Sequence, residues 1–66
     1  MSIVKIIEII ASSNKSFDDA VNNAVSEAAK SVKNIKSVYV KEMKAKVENN
    51  KIESYRVTTK ISFVKE

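Results

Sequence analysis

The sequence predicts an α+β domain in which the elements follow the order β-α-β-β and one helix packs against a three-stranded sheet. Three observations lead to this fold class. A run dense in β-branched residues opens the chain, apolar residues then recur at three- and four-residue spacing, and a long alternating segment closes the chain. The first and third patterns are typical of strands, and the second is typical of a helix with one apolar face. The whole chain, 1–66, is expected to form a single domain.

The first strand is predicted at Ile3 to Ile10, where Lys5 and Glu8 are the only charged residues. Because apolar residues occupy nearly every position rather than every second one, we expect most of both faces of this strand to be covered. The polar cluster Ser12-Ser13-Asn14-Lys15 ends the strand.

The helix is predicted to begin at about Phe17, with Ser16 as its N-cap. Asp18 and Asp19 favour the positive end of the helix dipole, and the acid three residues after the cap can accept from free amide groups. The apolar residues share one stripe that is expected to face the sheet: Phe17, Ala20, Val21, Ala24, Val25, Ala28 and Val32. The helix is expected to end near Asn34.

The last two strands are predicted to form a hairpin around Glu48-Asn49-Asn50-Lys51, since Asn tolerates the positive φ of a tight turn. Before the turn, the apolar alternation changes phase near Lys41-Glu42, which predicts a bulge or bend at that point. After the turn the alternation is clean, and one set of side chains is assigned to the core: Tyr55, Val57, Thr59, Ile61 and Phe63.

The predicted lengths require more than one copy of the chain. About 13 strand residues from Ile52 to Val64 extend about 43 Å, whereas a helix of about 17 residues is only about 26 Å long. One helix cannot cover that sheet, and uncovered strand edges invite aggregation. The chain also has no Cys for disulfides that would stabilise a small core. We therefore expect a closed, symmetric homo-oligomer.

Composition excludes several classes of function. His and Cys are absent, which removes imidazole metal sites, thiol chemistry and the usual nucleophile-base pairs, so no enzyme activity is expected. Gly is absent, and with it the glycine-rich phosphate loops. No apolar run reaches the length of a membrane span and the N-terminal stretch does not have the pattern of a signal peptide, so we expect a cytoplasmic protein with no membrane partner.

The net charge of +4 comes from 12 basic and 8 acidic residues that are spread along the chain, as in a solvated surface. A nucleic-acid surface would need basic residues beside exposed aromatic ones. Because Phe17, Tyr55 and Phe63 are assigned to the core, nucleic acid is not expected as a partner.

Three segments carry a resemblance to a known family: VKIIEIIASSNKSFDDAVNNAV, AAKSVKNIKSVYVKE and NNKIESYRVTTKISFV. In their order of strand, capped helix and long hairpin, over essentially the whole chain, they resemble the dodecins. The resemblance implies a three-stranded antiparallel sheet partly wrapping one helix, a hollow homododecamer, and the binding and storage of a flavin, either riboflavin or FMN.

The resemblance also implies a ligand site. Ser37 and Arg56 stand where flavin-binding dodecins carry a Trp that stacks on the flavin ring and a Gln that hydrogen-bonds it. Ser offers no π surface, but Tyr39 lies two residues on and on the same strand face, as a partial replacement. Arg56 can donate to flavin carbonyl groups but cannot accept from the ring N–H. Two alternatives stay open: Tyr39 as an aromatic at a subunit contact, and Arg56 in an ion pair with Glu42, Glu53 or an acid of a neighbouring subunit.

Three lysines, Lys41, Lys44 and Lys46, are candidates for contact with the phosphate of FMN or of coenzyme A, which is also a dodecin ligand. The alternative is that they protect a strand edge. A second hypothesis follows from the departures at Ser37 and Arg56: a dodecin-like cage that has lost flavin binding and is structural, or binds another anionic ligand such as coenzyme A.

Four acidic residues, Glu8, Asp18, Asp19 and Glu27, are candidates for calcium ligands, because some dodecin-like proteins bind calcium. Their spacing matches no known calcium loop, and the two aspartates already have a role in capping the helix. No metal site is therefore expected.

Overall fold

The computed structural model of the chain describes residues 3–65 and has the predicted β-α-β-β order. Strand β1 spans Ile3–Ser13, helix α1 spans Phe17–Ala29, strand β2 spans Ile35–Glu48 and strand β3 spans Lys51–Lys65. The central strand is β3, which pairs antiparallel with β1 on one side and with β2 on the other. The predicted fold class is therefore confirmed, and β1 and β2 are edge strands.

The helix packs on one face of the sheet through small side chains. Ala24 and Ala28 form the centre of the core together with Ile61 of β3. Because an Ala side chain is short, the helix backbone lies close to the strand. The predicted alternation of β3 is confirmed by the residues that are buried on this face: Val57, Thr59, Ile61 and Phe63. Tyr55, which was assigned to the same set, is only half-buried, since it packs edge to face on Phe17 at the start of the helix. Within residues 3–65, no helix has the length and apolar composition needed to cross a membrane.

The apolar run of β1 is covered on one face only. Ile7 and Ile9 pack against the core. On the opposite face three large side chains remain exposed: Val4 to 65%, Ile6 to 62% and Ile10 to 62%. The prediction that both faces are covered is therefore wrong for the single chain, because one helix can cover only one face of the sheet.

A network of serines fixes the start of the helix, at Phe17 as predicted. The Ser16 hydroxyl accepts a hydrogen bond from the Asp19 N–H at 3.0 Å. The Asp19 carboxylate accepts from the Ser13 hydroxyl at 2.6 Å, and the Ser13 oxygen in turn accepts from the Lys15 N–H at 2.9 Å. The end of β1 is thereby tied to the first turn of the helix.

The helix ends at Ala29, earlier than the predicted end near Asn34. One more turn follows, in which the Val32 N–H donates to the Ala28 carbonyl at 3.0 Å. Asn34 then adopts a positive φ of 61°, and its carbonyl accepts from the Val64 N–H at 3.0 Å. Asn34 therefore marks the point where the chain turns into β2, which lies beyond the last regular helical residue.

Both predicted irregularities of the hairpin are confirmed. The pairing of β2 with β3 shifts between Val40 and Glu42, so that Lys41 is the extra residue of a bulge. Asn49 and Asn50 have φ values of 53° and 61°, as a tight two-residue turn requires. Two further register shifts, near the ends of β2, have no signal in the sequence.

The sheet extends far beyond the helix, as the predicted lengths required. The 13 residues of α1 are about 20 Å long, whereas the 15 residues of β3 extend about 50 Å. The radius of gyration is 13.5 Å, against about 10.8 Å for a compact domain of this length. The accessible surface of 5008 Å² exceeds the roughly 4,200 Å² of a compact monomer of this mass. A single chain is thus too extended to bury its own apolar surface.

Ala24→Leu is expected to lower the free energy of unfolding by about 1–3 kcal/mol, because a larger side chain at this fully buried position pushes the helix away from β3. Urea unfolding followed by circular dichroism, at one fixed protein concentration, measures the change. Ala29→Leu, at an exposed position of the same helix, is the matched control. Equal stability of the two variants would contradict close packing of the helix on the sheet.

Candidate functional site

The sheet face opposite the helix, which we call the outer face, carries the residues predicted to contact a ligand. Strand pairing arranges this face in rows, each with one residue from β1, β3 and β2, since directly paired residues point to the same side. Four consecutive rows are Ile6–Ser62–Ser37, Glu8–Lys60–Tyr39, Ile10–Thr58–Glu42 and Ser12–Arg56–Lys44.

Ser37 and Tyr39 lie in neighbouring rows of the outer face, as predicted. Tyr39 is 63% exposed. The Ser37 hydroxyl forms a hydrogen bond with the Ser62 hydroxyl of β3, and Ile6 continues the row on the other side of Ser62. This end of the outer face therefore presents an exposed aromatic ring next to two small serine side chains. A flat molecule can lie on such a surface.

Arg56 lies apart from Ser37 and Tyr39. Ser37 is opposite Ser62 and Tyr39 is opposite Lys60, so Arg56 is separated from these two rows by about 20 Å and about 13 Å along β3, at about 3.3 Å per residue. The structure does not bring the three residues together in one chain. An aromatic ring that contacts Tyr39 is out of reach of Arg56 in the same chain.

Arg56 instead belongs to a basic cleft. Lys44 lies directly opposite Arg56 across β2 and β3, and with Lys46 and Ser54 these residues line a cleft of about 270 Å³. Like charges in directly opposite positions destabilise a sheet. The alternative ion pair of Arg56 with Glu42 or Glu53 does not form within residues 3–65, where no acidic side chain pairs with Arg56 and Glu53 contacts Lys46 at 3.3 Å. An anion bound in this cleft would therefore reduce the repulsion between Lys44 and Arg56.

The three lysines predicted to contact a phosphate have different surroundings. The Lys46 ammonium lies 3.3 Å from Glu53, and its hydrogen bond is the main reason that the pKa of the Glu53 carboxyl lies below its ordinary value. The Lys41 ammonium lies 3.7 Å from Glu8. Within the described part of the chain, Lys44 has no acidic partner. Of these three lysines, Lys44 is therefore the one whose ammonium group is available to contact a ligand.

The four acidic residues considered as calcium ligands do not form a cluster. Three of them have partners of their own: Glu8 with Lys41, Asp19 with Ser13, and Glu27 with Lys30. Between Ile3 and Lys65, no three His, Cys, Asp or Glu side chains lie close enough to hold a metal ion.

Sequence reasoning missed a second cleft of about 420 Å³ at the other end of the sheet. Three lysines, Lys5, Lys33 and Lys65, line it together with Asn34 and Phe63. These residues come from β1, the loop after the helix and β3, and the pairing of Lys5 with Phe63 brings them together. No local sequence pattern reports a pairing between positions so far apart in the chain.

The protein-family model described as Dodecin matches residues 3–66 of the chain. The chain is 35% identical to the calcium-chelating dodecin of Mycobacterium tuberculosis, with 92% of this chain and 87% of that one covered and a TM-score of 0.80. A point mutant of the Thermus thermophilus dodecin is 21% identical and has a TM-score of 0.93, over 100% of this chain and 98% of the other. The dodecin of Streptomyces coelicolor is 23% identical and has a TM-score of 0.91, with 98% and 93% covered. No curated protein matches the chain.

Lys46→Gln is expected to raise the pKa of Glu53 toward its ordinary value, because it removes the hydrogen bond that lowers this pKa. A carboxyl whose pKa is lowered by folding adds stability above its unfolded-state pKa, and this stability is lost as the pH falls through its folded-state pKa. NMR titration of the Glu53 carboxyl carbon measures the shift. Lys41→Gln, which leaves Lys46 in place, is the matched control. If Lys46→Gln left the Glu53 pKa unchanged, the charge of Lys46 would be free for other contacts.

Proposed function

Because the chain belongs to the dodecin family, we propose that it binds a flavin, riboflavin or FMN, as a closed homododecamer and stores this ligand without catalysing a reaction. The main observation in support of the proposal is the exposed Tyr39 ring next to the small side chains of Ser37 and Ser62. These residues lie on the sheet face that the helix leaves uncovered. The face of a flavin ring is held by stacking and by removal from water. Such a surface can provide both once a second copy covers it.

The shape of the chain supports the oligomeric part of the proposal. Its accessible surface of 5008 Å² is about 800 Å² larger than that of a compact monomer of this mass. Val4, Ile6 and Ile10 account for part of this surface and all lie on the outer face. Packing against further copies would bury them beside Tyr39. The ligand site and the contact between subunits would then lie next to each other.

A storage function agrees with the side chains on the outer face. Stacking needs an aromatic ring, and holding a polar group needs cations or hydroxyls, which Tyr39, Arg56 and the serines supply. Neither His nor Cys is in the sequence to act as a base or nucleophile. We therefore assign Ser37 and Tyr39 to the flavin ring and Arg56 to a polar part of the ligand. The cytoplasmic location stays a prediction.

Calcium binding is described for the relative from Mycobacterium tuberculosis. The proposal does not extend it to this chain, because Glu8, Asp19 and Glu27 each contact another side chain and do not face a common point.

A second candidate function is a dodecin-like cage without a flavin site, which is structural or binds another anionic ligand such as coenzyme A. One observation favours it: Ser37 occupies the position that the resemblance gives to the stacking Trp, and its hydroxyl bonds to Ser62. These two hydroxyl groups have no π surface on which a flavin ring could stack. In a cage without a flavin site, Tyr39 would serve only as a contact between subunits.

Native mass spectrometry of the freshly purified protein tests both candidates in one spectrum. Twelve copies of 7.4 kDa give about 89 kDa, and bound flavin adds its own mass to that species. The first candidate predicts such additions after incubation with riboflavin or FMN. An assembly of this mass that never takes up flavin would favour the second candidate, and a monomer would contradict the oligomer.

Ser37→Trp is expected to strengthen riboflavin binding about tenfold or more, because an aromatic platform of this size is worth about 1–3 kcal/mol per stacked ring. Tyr39→Ala is expected to weaken binding about three- to tenfold for the converse reason. Quenching of flavin fluorescence in a titration measures both affinities. Ser37→Leu adds apolar volume without a π surface and is the matched control. If Ser37→Trp bound riboflavin no better than Ser37→Leu, the ring would not lie at this position.

A further inference from the structure

The second cleft, at the end of the sheet beyond the helix, collects three lysines from three separate elements. Lys5 comes from β1, Lys33 from the loop after α1 and Lys65 from the end of β3. Val32 and Phe63 form part of the wall. With about 420 Å³ this cleft is larger than the basic cleft of about 270 Å³, and the proposed flavin contacts lie outside it.

Strand pairing places two of these lysines side by side. Lys5 is paired directly with Phe63, which is two residues before Lys65 on β3. Lys5 and Lys65 therefore lie on the same face of the sheet as diagonal neighbours, with their Cα atoms about 7–8 Å apart. Both lysines are exposed, because α1 ends at Ala29 and does not cover this end of the sheet.

Asn34 places the third lysine. The Asn34 carbonyl accepts from the Val64 N–H at 3.0 Å, and the Asn34 side-chain amide donates to the Val64 carbonyl at 3.5 Å. The backbone of Asn34 has a positive φ of 61°, which Asn tolerates better than most residues. These two hydrogen bonds attach the loop to β3 between Phe63 and Lys65. Lys33, one residue before Asn34, is therefore held beside the two lysines of the sheet.

Structural roles account for only part of this cluster. A lysine on an edge strand hinders the pairing of another chain, which explains Lys5 at most, since β1 is an edge strand and β3 is central. The negative end of a helix dipole favours cations only within about the last turn, and Lys33 lies four residues beyond Ala29. Among residues 3–65, no acidic side chain pairs with any of the three lysines. Their charges are therefore available to an anion.

We propose that the second cleft binds an oligophosphate, which is either a free di- or triphosphate or the phosphate chain of a nucleotide. Lysine binds phosphate as a point charge. A phosphate monoester carries about −1.5 to −2 at pH 7 and would leave part of the charge of three ammonium groups unbalanced. A longer phosphate chain carries more negative charge and can contact all three. The Ser31 hydroxyl in the lining can donate a further hydrogen bond.

The oligophosphate site is separate from the ligand contacts on the outer face. Phe63 is buried on the face that carries the helix, whereas Arg56 lies on the outer face. The two residues are seven positions apart on β3, which is about 23 Å at about 3.3 Å per residue. The inference therefore does not rest on flavin binding. Riboflavin has no phosphate and is not a ligand for the second cleft.

A series of phosphate anions tests the inference on the protein in its native assembly. Isothermal titration is carried out with orthophosphate, pyrophosphate and tripolyphosphate. Tripolyphosphate is expected to bind about tenfold more tightly than orthophosphate at low salt, because it pairs with more of the lysines. The difference is expected to decrease as salt screens the charges. Equal affinity for the three anions, or no binding of tripolyphosphate, would overturn the site.

Three variants locate the effect. Lys5→Gln, Lys33→Gln and Lys65→Gln are each expected to lower the tripolyphosphate affinity about two- to fivefold. Lys51→Gln makes the same change in net charge at an exposed position, about 46 Å from Lys65 along β3, and it is expected to keep the affinity of the parent protein. An equal loss in Lys51→Gln would show only an effect of net charge and would contradict the inference.

Lys44→Gln tests the basic cleft on the outer face as another place of binding. This variant is expected to keep the tripolyphosphate affinity of the parent protein. If the affinity falls in Lys44→Gln and stays unchanged in the three variants of the second cleft, the anion binds on the outer face and the inference fails. All the replaced lysines are exposed, and native mass spectra check that each variant keeps its assembly.

ADP and ATP distinguish the two sources of the phosphate chain. If ATP binds at least as tightly as tripolyphosphate and needs the same three lysines, the site holds a nucleotide whose base can contact the apolar wall at Val32. If ATP binds more weakly than tripolyphosphate, the site holds the free oligophosphate. Both results support the site. If none of the five anions binds, the inference is overturned, and a separate titration with riboflavin still decides the flavin proposal.

Discussion

A 13-residue helix lies against a sheet whose central strand has 15 residues, and the rest of the structure depends on how that helix is held. Ala24 and Ala28 bring the helix backbone close to Ile61, which gives a dense core with short side chains. This packing covers one face of the sheet, and only part of its length. The outer face and the tip of the hairpin are left uncovered in the single chain. In the proposed assembly, further copies would cover them, and folding of the chain would be coupled to assembly for this reason.

The central position of β3 explains how the outer face presents an aromatic ring at one place and two cations at another. The outward residues of β3 are paired on both sides, so each one is fixed in a row with a residue of β1 and a residue of β2. The row of Tyr39 presents an aromatic ring, and the row of Arg56 presents two cations about 13 Å away. The pairing of β3 with both neighbouring strands sets this distance. Under the proposed function, the outer face would therefore present both groups to a ligand without a rearrangement of the chain.

The two departures from the dodecin pattern change the character of the site in opposite directions. Ser37 removes aromatic surface where the resemblance implies a Trp, which reduces the contribution of stacking. Arg56 adds a positive charge where the resemblance implies a neutral Gln, and it lies opposite Lys44. Stacking acts on the ring of a ligand and charge acts on its ionic groups. Under the proposed function, these two exchanges together would move recognition from the ring toward the charged part of the ligand.

The sequence by itself determined the features that depend on near neighbours in the chain. The serine cap at Ser16, the bulge at Lys41, the positive φ of Asn49 and the buried set of β3 all follow from local hydrogen bonding, side-chain period or backbone sterics. Only the tertiary structure decided that one face of β1 stays uncovered, that Lys44 lies opposite Arg56, and that a second cleft forms beside Lys5. These features depend on the register between distant strands, where a slip of one residue would turn every side chain to the other face.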